Sequence, residues 1–233
     1  MLCPACLLRL PYINIKGVEA NPIERLFWGS ARVVRASATM IYQPGFEADR
    51  ILHAIKYHDR PGLAVEMGRI MAQEHIGHGF FEGIDAIVPV PLHPKRQRER
   101  GYNQSERLAQ GIAEVTGLPV VELARRIKDN TSQTTLNREE RAENVKGIFV
   151  ADEEQLQKFS GSHILLVDDV ITTGATSINC AKAFAGTSLR ISFLALAFAG
   201  RLHVGRLTYD ELHKADKSIE NSEFRERQSQ SLM

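Results

Sequence analysis

Apolar residues come along this chain in short blocks that switch between strand-like runs and helical spacing. Ala38 to Tyr42 form the first compact block, which predicts a short strand closed by the turn residues Gln43, Pro44 and Gly45. Ile51 to Tyr57 are mostly apolar with one lysine, Lys56, and Arg60, Pro61 and Gly62 interrupt them. Leu63, Met67, Ile70 and Met71 then recur three and four apart, as on one face of a helix. Ile84 to Pro91 are rich in β-branched residues and stop at prolines, which predicts a strand. Leu108, Ile112 and Val115 stripe a second helix that Gly117 ends, and Leu118 to Leu123 predict a further strand. Residues 125–147 are charged and polar with weak periodicity. Ile164 to Val167 are uninterrupted apolar residues, the look of a central parallel strand buried on both faces. Ile178, Ala181 and Phe184 stripe the helix after it, ended by Gly186, and Leu189 to Ala197 close the pattern as a last buried strand.

Strands alternating with helices imply βαβ units, a parallel sheet and right-handed crossovers, hence an α/β fold. In such sheets ligands bind beyond the carboxyl ends of the strands. Residues 1–36 read as an N-terminal segment attached to a main domain of residues 38–200. Residues 201–233 read as a polar tail: six basic and six acidic residues with few apolar ones offer one loose helix around Leu207 to Ala215 and no core. The chain has no internal repeat.

Composition narrows this picture only slightly. A chain of 233 residues holds one domain of ordinary size plus small additions, and its 43% apolar content is that of a globular protein. No stretch approaches the roughly 20 apolar residues of a membrane span. The N-terminus lacks a basic-then-apolar secretory pattern, so a cytoplasmic protein is expected. A net charge of +1 makes no case for global attraction to nucleic acid. Three cysteines, one of them Cys180 inside a predicted helix, argue against a disulfide framework.

Candidate chemistry concentrates where the run of Ile164 to Val167 ends. Two adjacent carboxylates, Asp168 and Asp169, come first, then Thr172, Thr173, Gly174, Ala175 and Thr176, and then the helix. Unpaired backbone N–H groups and a positive dipole at a helix start suit a phosphate, and small residues let the backbone approach it. The two acids are placed to accept hydrogen bonds from hydroxyls or to hold a divalent cation. A carboxylate pair beside a phosphate cradle is suited to a ribose 5-phosphate. A receiver-type acidic pocket also pairs aspartates at a strand end, but it would not call for a Thr-Thr-Gly-Ala-Thr turn.

The run from Ile164 to Thr176 resembles the phosphoribosyl pyrophosphate (PRPP) signature of type I phosphoribosyltransferases. Val88 to Lys95, Arg100 to Ser105, and Arg126, Thr131, Gln133, Leu136, Arg141, Asn144 and Phe149 extend the likeness. Together they make the chain, from about Ala38 to Ala197, similar to the ComF family, the competence-protein-F-like branch that includes GntX. The resemblance implies a type I phosphoribosyltransferase fold, a central mainly parallel sheet flanked by helices. It implies that Asp168 and Asp169 are the catalytic pair and take the ribose diol, while Thr172, Thr173, Gly174, Ala175 and Thr176 take the 5-phosphate. The basic loop carrying Lys95, Arg96 and Arg100 then suits the departing pyrophosphate. Tyr102 and Arg141 are further candidates; Lys56 either sits near the phosphates or snorkels to the surface. Residues 125–147 read either as a hood closing over PRPP or as an arm packed through Leu136 and Phe149.

The implied activity is transfer of a phosphoribosyl group, with Mg²⁺ accompanying PRPP, to an unidentified nitrogen acceptor. The alternative is a non-catalytic PRPP-binding accessory of DNA uptake, with single-stranded DNA or the uptake machinery as partner. Relatives of this type often form homodimers. Cys3 and Cys6 have zinc-ribbon spacing, yet structural zinc needs four ligands and a second such pair is absent. Relatives carry two pairs, so the N-terminus is expected to be a truncated zinc-ribbon-like segment, with Zn²⁺ bound only if a missing half-site precedes it. Cys180 reads as a buried apolar residue.

Overall fold

The computed structural model describes residues 4–13, 15, 17–29, 33–128, 147–200, 203–204 and 207–208. Four strands, β1 (Val33–Ile41), β2 (Ala86–Pro89), β5 (His163–Ile171) and β6 (Arg190–Phe198), form a sheet in the order β1-β6-β5-β2. Every neighbouring pair runs parallel. The α/β fold with a parallel central sheet expected from the apolar pattern is therefore present. β5 and β6 lie inside the sheet, and apart from Arg190 the nine residues of β6 are buried. That double-sided burial is why these two segments read as apolar runs and not as alternating ones.

Several predicted boundaries move. β1 starts at Val33, earlier than Ala38, and β5 continues past the acid pair to Ile171 because β6 stays beside it. The apolar block around Lys56 is a helix, α3 (Glu47–Tyr57), whose buried Ala48, Ile51, Leu52 and Ile55 share one face. Leu118 to Leu123 do not form the predicted strand. They contribute one parallel bridge, Val120 to Ile87, flanked by hydrogen bonds from Ile87 N to Pro119 O at 2.8 Å and from Val121 N to Ile87 O at 2.9 Å. Pro119 has no N–H to lengthen that pairing into a ladder. Leu207 and Thr208, where a loose helix is expected, form strand β8, antiparallel to β7 (His203–Val204); residues 209–215 lie outside the described residues. The 203–208 pair falls in a compact unit of its own, residues 200–233, separate from residues 1–199.

The first unit takes in the residues on both sides of the boundary expected near residue 37. Ile13, Ile23 and Phe27 are fully buried, and the Phe27 ring stacks on Phe193 of β6 with centroids 4.4 Å apart. Helix α2 (Pro22–Arg25) is capped by Asn21, whose side chain also donates to Ala36 O of β1 at 2.9 Å. The short helix α1 (Pro4–Leu8) precedes it. Among the described residues no helix is long and apolar enough to cross a membrane.

Two helices set the depth of the site. Helix α4 (Pro61–Ile76) crosses α6 (Gln104–Thr116) with Gly68 facing Gly111. A Cβ on Gly68 would overlap Leu108 O, and one on Gly111 would overlap Val65 O. The backbones meet directly, and α6 in turn packs on β5 and β2. Gly68→Ala or Gly111→Ala should therefore force the helices apart and destabilise the protein by about 1–3 kcal/mol, an overpacking cost. Thermal unfolding should read this as a fall in Tm of about 2–4 °C per kcal/mol. An unchanged Tm would contradict the close crossing.

Candidate functional site

β2 ends where the acid pair begins. Its last paired residue, Pro89, lies opposite Val167, and Val90 N donates to Val167 O at 2.9 Å. Asp168 and Asp169 thus sit on β5 just beyond the carboxyl end of β2, with β6 still alongside on the other edge. Three elements converge on the gap so created.

The first is the start of α6. Gly101, at φ 80°, ends the preceding helix α5 (Pro94–Arg100), and Asn103 caps α6 by accepting from Ser105 N at 3.1 Å. Asn103 also donates to Val90 O at 3.2 Å, which pins the cap to the end of β2. The first two helical side chains are thereby delivered to the acids. Gln104 Nε2 donates to Asp169 Oδ2 at 2.8 Å, and Ser105 Oγ donates to Asp168 Oδ1 at 3.2 Å.

The second is the end of α3. Lys56 Nζ lies 3.1 Å from Asp169 Oδ2, an ion pair with the lysine side chain 22% exposed. Its place is held indirectly, because the Tyr102 hydroxyl donates to Ile55 O, the carbonyl next to Lys56. Tyr102 is buried, and burial pushes its phenol pKa up. It therefore anchors α3 to the start of α6, and its hydroxyl is spent on that contact.

The third is the turn after β5. Thr172, Thr173 and Ala175 are exposed, Thr176 is half-buried and Gly174 is buried. Gly174 takes the left-handed conformation, φ 75° and ψ 1°, at the start of helix α8 (Ala175–Lys182), where no side chain caps the first turn. An uncapped helix start of this kind offers backbone N–H groups of the sort that suit an anion. A Cβ on Gly174 would stand 3.5 Å from Phe27 and 3.6 Å from Ile178 and Leu26, so the turn rests on the N-terminal segment as well.

The basic residues form a wall of one cavity. His93 accepts from Lys95 N at 3.3 Å to cap α5, and Pro94 starts it. The expected basic loop is thus a short helix, as a proline followed by Lys, Arg, Gln and Glu favours. Lys95, Arg96 and Arg100 line a cavity of about 580 Å³ together with Lys56, Tyr57, Asp59 and Glu99. The Arg100 guanidinium lies 5.6 Å from the centre of the Tyr57 ring. Lys56 belongs both to this cavity and to the acid pair, so the two are contiguous. A separate cavity of about 340 Å³, lined by Asn21, Glu24, Arg35 and His78 among others, shares none of these residues.

The electrostatics follow from the crowding. Desolvation, and then the neighbouring Asp169 carboxylate, push the Asp168 pKa up to about 7, against the lowering effects of Asp169 N–H, Lys56 and Ser105. Within the pair, Asp168 Oδ1 accepts from Ser105 and from Asp169 N, while Asp169 Oδ2 accepts from Gln104 and Lys56. One oxygen on each aspartate, Asp168 Oδ2 and Asp169 Oδ1, has no partner among the described residues. Two acceptors therefore remain open, one on each of two consecutive residues.

Sequence reasoning assigned no role to Gln104 or Ser105, although both stand in the Arg100-to-Ser105 run. The available signal was an Asn before a helical stripe, which marks a cap and so the side chains beyond it. Arg141, Thr131, Gln133, Leu136 and Asn144 lie outside the described residues. The ends of that segment pair as an antiparallel ladder, β3 (Ala124–Arg126) with β4 (Phe149–Ala151), and Phe149 is buried. Cys3 also lies outside the described residues, Cys6 is exposed, and no cluster of metal-binding side chains occurs among the described ones. Cys180 is buried on α8, and burial raises its thiol pKa far above the ordinary range, so it is no nucleophile at neutral pH.

No model of a known protein family matches the chain. It is 31% identical over 185 residues to the DNA utilization protein YhgH of Salmonella typhi, an overlap of 78% of this chain and 76% of that protein. It is 38% identical over 93 residues to competence protein F of Haemophilus influenzae, 40% of each chain. Competence protein ComFC of Bacillus subtilis matches at 33% over 90 residues, 39% of this chain and 34% of that one. Among solved structures, the allosteric regulatory enzyme of purine biosynthesis overlaps 61% of this chain and 30% of its own at 17% identity and a TM-score of 0.40. An adenine phosphoribosyltransferase overlaps 60% of this chain and 80% of its own at 16% identity and a TM-score of 0.38. Related over most of its length to YhgH, and over its shared segments to competence protein F and ComFC, the chain belongs to the ComF family.

Proposed function

We propose that this protein binds PRPP and transfers its phosphoribosyl group to a nitrogen acceptor, releasing pyrophosphate. The observation that carries this reading is that one carboxylate oxygen on each of Asp168 and Asp169 is without a partner among the described residues, on the strand that leads into an uncapped helix start and beside Lys56 of a basic cavity. A ribose diol supplies two hydroxyl donors for two such acceptors. The 5-phosphate suits the turn of Thr172 to Thr176, where backbone N–H groups and threonine hydroxyls are donors. The diphosphate suits the cavity of Lys56, Lys95, Arg96 and Arg100, reached through the lysine shared with the acid pair.

As the bond from the anomeric carbon to the diphosphate breaks, positive charge grows on the sugar ring and negative charge on the leaving group. Carboxylates beside the ring and cations in the cavity both gain interaction energy as this happens, the condition for lowering a barrier. Two carboxylates with no third metal-binding side chain grouped with them among the described residues suit a divalent ion that arrives bound to the diphosphate. Mg²⁺ brought in this way would neutralise leaving-group charge. A second reading, a PRPP-binding accessory protein without turnover, is favoured by relatives whose names refer to DNA utilization and competence. PRPP binding with pyrophosphate release from a panel of nitrogen bases supports the transferase; binding without release under the same conditions supports the accessory.

Three outcomes are expected. The double variant Asp168→Asn, Asp169→Asn should lose calorimetrically detectable PRPP binding while keeping its thermal unfolding transition; retained affinity refutes the site. Because the Asp168 pKa is raised to about 7, its carboxyl holds a proton below that pH and becomes a full acceptor above it. PRPP affinity should rise by about tenfold from pH 6 to pH 8 for one such group, and Asp168→Asn should flatten that rise. Lys56→Met should weaken inorganic pyrophosphate binding by about tenfold, the loss of one partly exposed charge contact. An unchanged pyrophosphate affinity would detach Lys56 from the cavity's function.

A further inference from the structure

The basic cavity beside the acid pair holds groups that a diphosphate alone does not use. Lys56, Lys95 and Arg96 supply positive charge, yet Asp59 and Glu99 line the same cavity, and neither carboxylate takes a hydrogen bond or an ion pair from a described residue. Such acceptors repel a polyanion and call for donors of another kind. Asp59 is the odder of the two. It follows the cap of α3 at φ 49°, a left-handed position where glycine or asparagine is usual, and the negative end of the helix dipole disfavours its charge there. The cavity also has an aromatic wall. Tyr57 is 63% exposed, and the Arg100 guanidinium lies over its ring. That pair offers a flat, cationic surface on which a base can stack. A volume of about 580 Å³ has room for a base together with a sugar and its phosphates.

We propose that this cavity takes a guanine nucleoside diphosphate, with its phosphates on Lys56, Lys95 and Arg96, its base stacked on Arg100 and Tyr57, and Asp59 accepting from the base edge. This rests on the diphosphate reading of the cavity and adds to it a base subsite and a competing ligand. Guanine carries its ring N1–H and its 2-amino group side by side, two donors for the two oxygens of one carboxylate. Adenine sets an amino donor beside a ring-nitrogen acceptor, and an ionised carboxylate, which only accepts, repels that nitrogen. The acid selects the base while the cations hold the phosphates. Since Lys56 belongs both to the cavity and to the acid pair, the nucleotide occupies the place of the PRPP diphosphate and excludes it. No bond is made or broken; the nucleotide acts by competition.

The test measures GDP, ADP and inorganic pyrophosphate by calorimetry on the full chain. The wild type should bind GDP at least about tenfold more tightly than pyrophosphate, the gain from stacking one base. It should also bind GDP at least about tenfold more tightly than ADP, the gain from one paired base edge. Tyr57→Leu should weaken GDP by about tenfold and leave pyrophosphate within about threefold of wild type. Asp59→Asn, which keeps a residue suited to positive φ, should bring the ratio of GDP to ADP below about threefold, while Glu99→Gln should keep it. GDP and PRPP should displace each other, and a short single-stranded oligonucleotide of mixed sequence, which lacks a diphosphate, should bind at least about tenfold more weakly than GDP. A wild type that binds neither pyrophosphate nor GDP overturns the diphosphate reading along with the inference. With pyrophosphate bound, the inference alone is overturned by GDP no tighter than pyrophosphate or ADP, by GDP affinity kept in Tyr57→Leu, or by base selection kept in Asp59→Asn or lost in Glu99→Gln. GDP bound together with PRPP overturns it as well, and an oligonucleotide that binds as tightly as GDP overturns it in favour of nucleic acid.

Discussion

Two carboxylates on consecutive residues of a strand repel each other, and taking them out of water makes that repulsion harder to bear. The surroundings of Asp168 and Asp169 answer this constraint. Lys56 brings a positive charge, Gln104 and Ser105 bring neutral donors, and the Asp169 N–H turns back onto Asp168. Even so, the Asp168 pKa stays high. The pair is held short of full neutralisation, with one open acceptor on each residue, which is the state a hydroxyl-bearing ligand would relieve.

Holding the pair this way places demands on parts of the fold remote from it. Gln104 and Ser105 reach the acids only because α6 lies low over β5 and β2, and α6 lies low because Gly68 and Gly111 let α4 pass against it without side chains between. Lys56 reaches Asp169 because Tyr102 ties the last turn of α3 to the start of α6. One tyrosine hydroxyl and two glycines thus govern the geometry of a site they never enter. Phe27, stacked on Phe193, and Leu26 lie against the Gly174 turn, so the N-terminal segment supports the turn that follows the acid pair.

Lys56 links the two halves of the site. It neutralises Asp169 and also lines the cavity of Lys95, Arg96 and Arg100. A polyanion in the cavity would draw on the same charge that steadies the acids, so occupancy of one half bears on the other, and by thermodynamic necessity the reverse holds as well. Such linkage serves a transferase, whose leaving group and sugar must be managed together, and it serves a sensor equally.

What the amino-acid sequence determined by itself is whatever depends on neighbours along the chain. Apolar runs and helical stripes located β5, β6, α4 and α6, and the acid pair followed by Thr172 to Thr176 marked a strand end, turn and helix start, because buried strands, caps and tight turns are written in consecutive residues. The tertiary structure decided everything that depends on which distant segments touch. Ile51 to Tyr57 could not be told as helix or strand until its buried face met the core, and Lys56 could not be told as a surface lysine or a site residue until α3 was docked. Leu118 to Leu123 look like a strand but only bridge one, because pairing needs a partner in register and Pro119 withholds a donor. Tyr102 looked available to a ligand and is buried, while Gln104 looked like an ordinary helix residue and faces the acids. A side chain's type is local, but its burial and its hydrogen-bond partner are set by the packing of elements far apart in sequence.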